Sequence, residues 1–397
     1  MRFLAKAATT SAVTLGVGAV ALLYCQRARN PGAAAGTSEV TKQLSAKEFN
    51  GLQNATLLKE ALAPSHLPWT FHAQKDRYTN LRELTTHASQ ETATAQPPGG
   101  RAYTASSSDM KLTFYRLLGC PYCAKVEAVL QYHDVPYEEV HVDPLSGKGL
   151  PDRRYQLAPQ LYLAPLAKRN SGGAEAAATD SNGVYVVDSA EIVSRLSGPL
   201  KYAADIANPR ISATRDWITN HFHGASFAIT NNSFCDAYAT YAYVTPSNYQ
   251  NFLYHVVGSA ALSVLSRYKI QPRLIAKMEC ADGPAAATPT GAPASTDSNG
   301  LWMLSEASRK ALAATVRFGA VEEWLRAELQ TFLQRRPADK VFHGGSSPDL
   351  ADVEMYGVTR VVDQHPRLGA VVREGAFGEW QTAMREKLKA NTGSVYA

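Results

Sequence analysis

Two cysteines separated by two residues, Cys120-Pro121-Tyr122-Cys123, lie between a strand-like run and a helix-like run. No other feature limits the chain as much. Lys111-Leu112-Thr113-Phe114-Tyr115 leads in, and 124–133 leads out. Val126, Val129, Leu130 and His133 recur three and four apart, so they share one helix face. Pro121 falls at the first helical turn, where the N–H it lacks would be unpaired anyway. Cys120 is then the N-cap, and Cys123 lies at the third helical position. Free N–H groups and the positive end of the helix dipole face the Cys120 sulfur. Such sites hold thiol pKa values at roughly 3.5–7.5. Cys120 is expected to be the nucleophile, with Cys123 as the resolving thiol.

Half of a zinc site would need a second pair of ligands at close spacing, and Cys25, Cys235 and Cys280 are isolated. No metal site is expected. A structural disulfide would close almost no loop and gain little stability. Five cysteines in 397 residues do not make a disulfide scaffold, and reduced thiols in a reducing compartment fit better. Hydrophobic residues make up 45% and charged residues 19%, ordinary for a folded core. The net charge of +5 owes much to the N-terminus. No Lys/Arg run interleaves with aromatics, so nucleic acid is excluded as an expected partner.

The length suggests two domains plus tails. Residues 1–30 carry an uncharged, apolar stretch over 7–26, with Arg2 and Lys6 before it and Arg27 and Arg29 after it. About 20 such residues can span a bilayer. The absence of acidic residues before Glu39 also suits a mitochondrial presequence, so anchor and cleaved targeting segment both stand. Residues 31–108 read as a linker with short helices, one of them within Leu52–Leu67.

From 109 to 198 strand and helix alternate. Tyr137–Val142, Gln160–Leu163 and Val184–Val187 read as further strands, and Asp152–Leu157 as a second helix. Asp188-Ser189 caps a last helix, Ala190–Leu196. Residues 199–397 read as all-helical, with a low-complexity insertion near 281–300. Trp217, Ile218, His221 and Phe222 have helical spacing, as do Phe252, Val256, Val257, Ala260 and Leu265. Leu312–Leu333 forms a helix with Val316, Val321, Leu325, Leu329 and Phe332 on its apolar face. Asp349 with Asp352 three residues on predicts a capped helix start.

Cys120-Pro121-Tyr122-Cys123 resembles the glutaredoxin active site. Ala158-Pro159 matches the position at which thioredoxin-like folds place a cis-proline, and Asp188-Ser189 resembles the acidic-Ser pair of glutathione transferases. The resemblance implies an α/β thioredoxin-like domain with a four-stranded mixed sheet, then an all-α glutathione transferase-like domain. Within that range, Leu112–Val126 and Asp349–Val361 are similar to the membrane-associated prostaglandin E synthase type-two family, and Val257–Arg267 resembles its middle helical segment. What this implies is a glutathione-dependent thiol enzyme in which Cys120 attacks a peroxide or a disulfide. Tyr122, Ala158, Pro159, Asp188 and Ser189 would hold glutathione. By resemblance alone haem is a second ligand, although His221, His223 and His255 read as helix-face residues. A small hydrophobic or disulfide substrate, a membrane reached through the N-terminal segment and a homodimer complete the implied partners. Leu117 stands where the family carries a tyrosine. A glutaredoxin-like oxidoreductase without isomerase activity and a membrane-tethered interaction protein remain the alternatives.

Overall fold

Leu112, Thr113 and Phe114 are all buried, so the first strand is covered on both faces and must be central. The computed structural model describes residues 43–53, 110–135, 137–143, 147–151, 154–165, 183–245, 252–280, 313–314 and 320–392. The apolar segment 7–26 and the insertion at 281–300 lie outside the described residues. Two compact units emerge, one containing Lys42–Ile206 and the other Ala207–Lys387.

The first unit opens with a short helix, α1 (Ala46–Gly51), followed by β1 (Met110–Arg116), α2 (Pro121–Tyr132), β2 (Glu138–His141), β3 (Gln160–Pro165), β4 (Val184–Val187), α3 (Ser189–Leu196) and α4 (Ala203–Ala207). The sheet order is β2-β1-β3-β4. β1 runs parallel to β2, with Thr113 opposite Glu138. It runs antiparallel to β3, with Leu112 opposite Leu163, and β3 pairs antiparallel with β4. Such a mixed sheet with a strand–helix–strand start is thioredoxin-like. Val126, Val129 and Leu130 of α2 are fully buried, as the spacing predicts, and α2 packs against α3. Residues 154–157 form no helix: they run as a turn and irregular chain into Pro159, while 152–153 lie outside the described residues. The expected helix within Leu52–Leu67 lies outside them from 54 onward. The helix found instead, α1, starts earlier, where Ser45 and Glu48 make a reciprocal capping box.

The second unit is helical. It comprises α5 (Pro209–Trp217), α6 (His223–Thr230), α7 (Phe234–Val244), α8 (Phe252–Leu265), α9 (Gln271–Cys280), α10 (Val321–Leu333), α11 (Leu350–Asp363), α12 (Leu368–Arg373) and α13 (Gly375–Thr392). Single π-turns, Ile218–Phe222 and Ser266–Ile270, interrupt the α geometry between α5 and α6 and between α8 and α9. The spacing at 217–222 therefore marks helix but not its widened turn. The helix expected over 312–333 is not continuous. Ala320 is non-helical and caps α10 at Val321; Leu325, Leu329 and Phe332 are buried, and Val316 lies outside the described residues. α8 carries Phe252, Val256, Val257, Ala260 and Leu265 on one helix, as their spacing predicts, and its buried residues are Gly258 and Ser259.

The start of α11 fixes this unit. Asp349 accepts from the Ala351 and Asp352 N–H groups, and Asp352 accepts in return from the Asp349 N–H. Asp352 also takes hydrogen bonds from the His343 and Gly344 N–H groups at 2.9 and 3.0 Å and from the Trp380 indole at 2.8 Å. The loop must be tight: a Cβ on Gly344 would meet Ser347 O at 2.4 Å. Burial and the charge of Asp349 push the Asp352 carboxyl up to about 6.

Asp352→Ala would leave four buried donors without their acceptor. It should destabilise the protein by about 3–5 kcal/mol in urea titrations. A second prediction concerns pH. His133 ends α2 against the Tyr132 and Tyr202 rings, at 5.2 and 5.3 Å, and burial lowers its pKa from 6.5 to about 4. Between those values the unfolded chain binds a proton that the folded chain does not, so stability falls as pH drops through the window. Comparing His133→Leu with the unmodified protein cancels the opposite contribution of Asp352, whose raised pKa favours the folded state below about 6. The variant should gain roughly 3 kcal/mol relative to the unmodified protein between neutral pH and pH 4.

Candidate active site

The backbone turns at Gly119, whose φ of 69° suits glycine, and delivers Cys120 to the N-cap of α2. Pro121 occupies the first helical turn, and the Cys120 side chain makes no capping bond of its own. One helical turn separates two unlike thiols. Cys120 is partly exposed and Cys123 is buried, and both are free. A hydrogen bond from the Cys123 thiol lowers the Cys120 pKa against the opposing effect of burial. The Cys123 and Tyr122 N–H groups and the charge of Arg116 lower it further. Burial, then the adjacent Cys120, raises the Cys123 pKa well above its ordinary value. The Leu117 N–H donates to Cys123 Sγ at 3.4 Å.

Arg116 went unnoticed in the sequence. It ends β1, and its guanidinium pairs with Glu127 of α2 and, at 2.9 Å, with Glu139 of β2. Glu139 also meets His141 at 2.6 Å. Burial works against the guanidinium charge, yet the two carboxylates hold its pKa above the ordinary value. No local pattern joins residues 116, 127 and 139; only the parallel register of β1 and β2 does.

Pro159 follows a cis peptide bond, as the resemblance implies. Ala158 is half-buried, and the β3 ladder begins two residues later at Gln160, so Ala158 extends beyond the paired register. Asp188 caps α3, accepting from the Ala190 and Glu191 N–H groups through Oδ1 at 2.9 and 3.3 Å. Its other oxygen takes no part in capping. Ser189 is the first helical residue and is buried. Tyr122 is 40% exposed. Its phenol is raised by burial, then by the charges of Cys120 and Asp188, which puts all three in one electrostatic neighbourhood. Tyr155 belongs there too: burial and Asp188 push it up to about 12.

This donor set suits glutathione. A carboxylate stands ready for an ammonium group, a helix start for a carboxylate, and an extended edge at Ala158 for a peptide backbone. Haem finds less. His221 pairs with Glu328 at 2.7 Å in the core, His255 bonds the Tyr238 carbonyl at 2.8 Å, and His223 is buried. None of the three stands as an open haem ligand. Among the described residues no three His, Cys, Asp or Glu side chains converge on a metal position. No helix among them is long and apolar enough to cross a membrane.

Residues 114–198 match the family model described as the glutathione S-transferase N-terminal domain, a span that holds every residue of this site. The α/β unit is therefore glutathione transferase-like. The chain is similar to prostaglandin E synthase 2 of Danio rerio, 38% identical over 63 residues, which is 16% of this chain and 17% of that protein. It is also similar to prostaglandin E synthase 2 of Mus musculus, 21% identical over 300 residues, covering 71% of this chain and 72% of the mouse protein. At family level these relationships point to a glutathione-related enzyme.

Limiting iodoacetamide at mildly acidic pH should modify Cys120 well before Cys123, as read by peptide mass spectrometry. Equal labelling would contradict the division between the two thiols.

Proposed function

We propose that the protein is a glutathione-dependent thiol enzyme whose nucleophile is the Cys120 thiolate. The observation that carries the reading is the unequal pair. Cys120 has a lowered pKa at a helix start, and the buried Cys123 remains a thiol that hydrogen-bonds to it. Tyr122, Ala158, Pro159, Asp188 and Ser189 hold glutathione. In this reading residues 109–198 form the catalytic domain, residues 199–397 form the helical domain, and 7–26 attaches the protein to a membrane or directs it to mitochondria.

On a glutathionylated substrate, Cys120 attacks the glutathionyl sulfur. A sulfur–sulfur bond forms at Cys120, and the substrate leaves as a thiolate. A second glutathione thiolate then takes the glutathionyl group, giving glutathione disulfide and returning Cys120 to its anion. Cys123 serves here mainly as a hydrogen-bond donor, because its raised pKa makes it a poor attacking group. Tyr122 and Asp188 orient the ligand beside Cys120.

The names of the relatives favour a second reaction at the same thiolate. Attack on one oxygen of a prostaglandin endoperoxide forms an S–O bond and frees the other oxygen as an alkoxide, which takes a proton. Loss of a carbon-bound proton then expels the thiolate and leaves a hydroxyketone. An alkoxide is a far more basic leaving group than a thiolate, so this reaction gains more from a nearby acid. Leu117 offers its backbone N–H to Cys123 and no acidic side chain.

Disulfide reduction should therefore exceed endoperoxide isomerisation in the purified full chain with glutathione. Cys120→Ser should abolish both, whereas Cys123→Ser should keep glutathione-linked turnover. Leu117→Tyr should raise the isomerase rate by about tenfold or more without raising disulfide reduction. Retention of both activities in Cys120→Ser would reject the enzyme and favour an interaction protein.

A further inference from the structure

β4 is an edge strand, and an edge presents alternate N–H and C=O groups that need partners. Here side chains from 43–53 supply them. Asn50 Nδ2 donates to the Val187 carbonyl at 3.0 Å, and the Val187 N–H donates to Asn50 Oδ1 at 2.9 Å. One carboxamide thus reproduces the donor–acceptor pair that a backbone residue of a fifth strand would offer. The Tyr185 N–H donates to Gln53 Oε1 at 3.1 Å, two residues along the same edge. Asn50 and Gln53 are three apart, on one side of a helical turn.

The strap is anchored at two further points and braced within itself. The Leu44 N–H donates to the Arg154 carbonyl at 2.9 Å. Phe49 is fully buried against Tyr155, with ring centroids 5.7 Å apart, and against Val187. Ser45 and Glu48 cap α1 reciprocally. Strap, β4 and the 154–155 turn therefore hold one another.

Val187 is followed at once by Asp188, whose φ is 76°. A non-glycine residue in that region is costly and persists only where its flanks hold it. On one flank Oδ1 of Asp188 caps the first turn of α3. On the other flank both polar groups of the Val187 peptide unit facing outward are held by Asn50. Tyr155, propped by Phe49, shares the electrostatic neighbourhood of Asp188.

We infer that the strap at 43–53, through Asn50, is a positioning element for the glutathione subsite at Asp188-Ser189. This rests on the function proposed above. Asn50 touches no ligand; it fixes the exit of β4, so that Asp188 Oδ2 and the start of α3 face the γ-glutamyl end together. Cys120 and Cys123 take no part in this device, because their environment comes from the start of α2, Leu117 and Arg116. Binding and thiol reactivity should consequently separate.

The test uses the full chain and two readouts, the dissociation constant of glutathione by calorimetry and the rate of Cys120 alkylation by iodoacetamide at fixed pH. Asn50→Leu keeps the size and removes the amide. It should weaken glutathione binding five- to tenfold and leave the alkylation rate within about a factor of two. Gln53→Leu loses the bond from the Tyr185 N–H and the Gln53 donation to the Phe49 carbonyl, leaves both Asn50 bonds in place, and should weaken binding by about twofold. Asn50→Asp keeps the acceptor for the Val187 N–H and should fall between the unmodified protein and Asn50→Leu. Unchanged affinity in Asn50→Leu overturns the inference while leaving the proposed function intact. A parallel loss of affinity and thiol reactivity also overturns it, since a merely loosened fold would do that; if Asn50→Leu does not fold, unchanged affinity in Gln53→Leu and Asn50→Asp has the same force. Absence of glutathione binding in the unmodified protein rejects both the inference and the function on which it rests.

Discussion

The unequal surroundings of two thiols one helical turn apart are the constraint on which the site depends. A dithiol at a helix start has two protons and two sulfurs, and symmetry would share them. Burial removes the symmetry. Cys123 lies under the first turn, where an anion would be poorly solvated, and Cys120 lies at the open end, among N–H groups that favour one. The proton therefore stays on Cys123, and its hydrogen bond stabilises the anion on Cys120. The Leu117 N–H then has an acceptor in Cys123, which ties the turn before the helix to the turn inside it.

Around that pair the charges are nearly compensated. Arg116 faces two carboxylates, and its pairing with Glu127 bridges the end of β1 to the helix that carries both cysteines. A guanidinium suits this position because its planar fork can serve two acceptors at once. Removing Arg116 would leave two poorly exposed carboxylates without their counter-charge, which costs more than the pairing itself contributes. The network therefore constrains the geometry of the site more than it adds to global stability.

Local features of the site were legible in the sequence because each depends on near neighbours. Helix periodicity placed α2, proline preference placed its first turn, and an Asp-Ser pair before an apolar run placed α3. The Asp349–Asp352 box was visible for the same reason. What escaped was set by contacts distant in sequence. Arg116 meets Glu139 only because β1 and β2 are in register. The π-turn at Ile218–Phe222 keeps helical spacing while widening the turn. The break at Ala320 follows Gly319, a helix-breaking signal that the reading of 312–333 as one helix passed over. The strap is the clearest case. Asn50 and Gln53 are ordinary polar residues in a polar stretch, and their partners, Val187 and Tyr185, lie more than a hundred residues away.

An edge strand satisfied by amide side chains differs physically from one satisfied by another strand. A fifth strand would extend the ladder and leave a new edge beyond it. Here a short helix lies against β4, and among the described residues Asn50 and Gln53 bond to the strand's outer groups. The same arrangement relieves α1 of a burden it could not carry alone, because six residues are too few for an independently stable helix. Phe49 supplies the buried anchor, the capping box satisfies the first turn, and the carboxamides fix the register against β4. Helix and edge each complete what the other lacks, which is why a segment with so little structure in its sequence becomes part of the α/β unit.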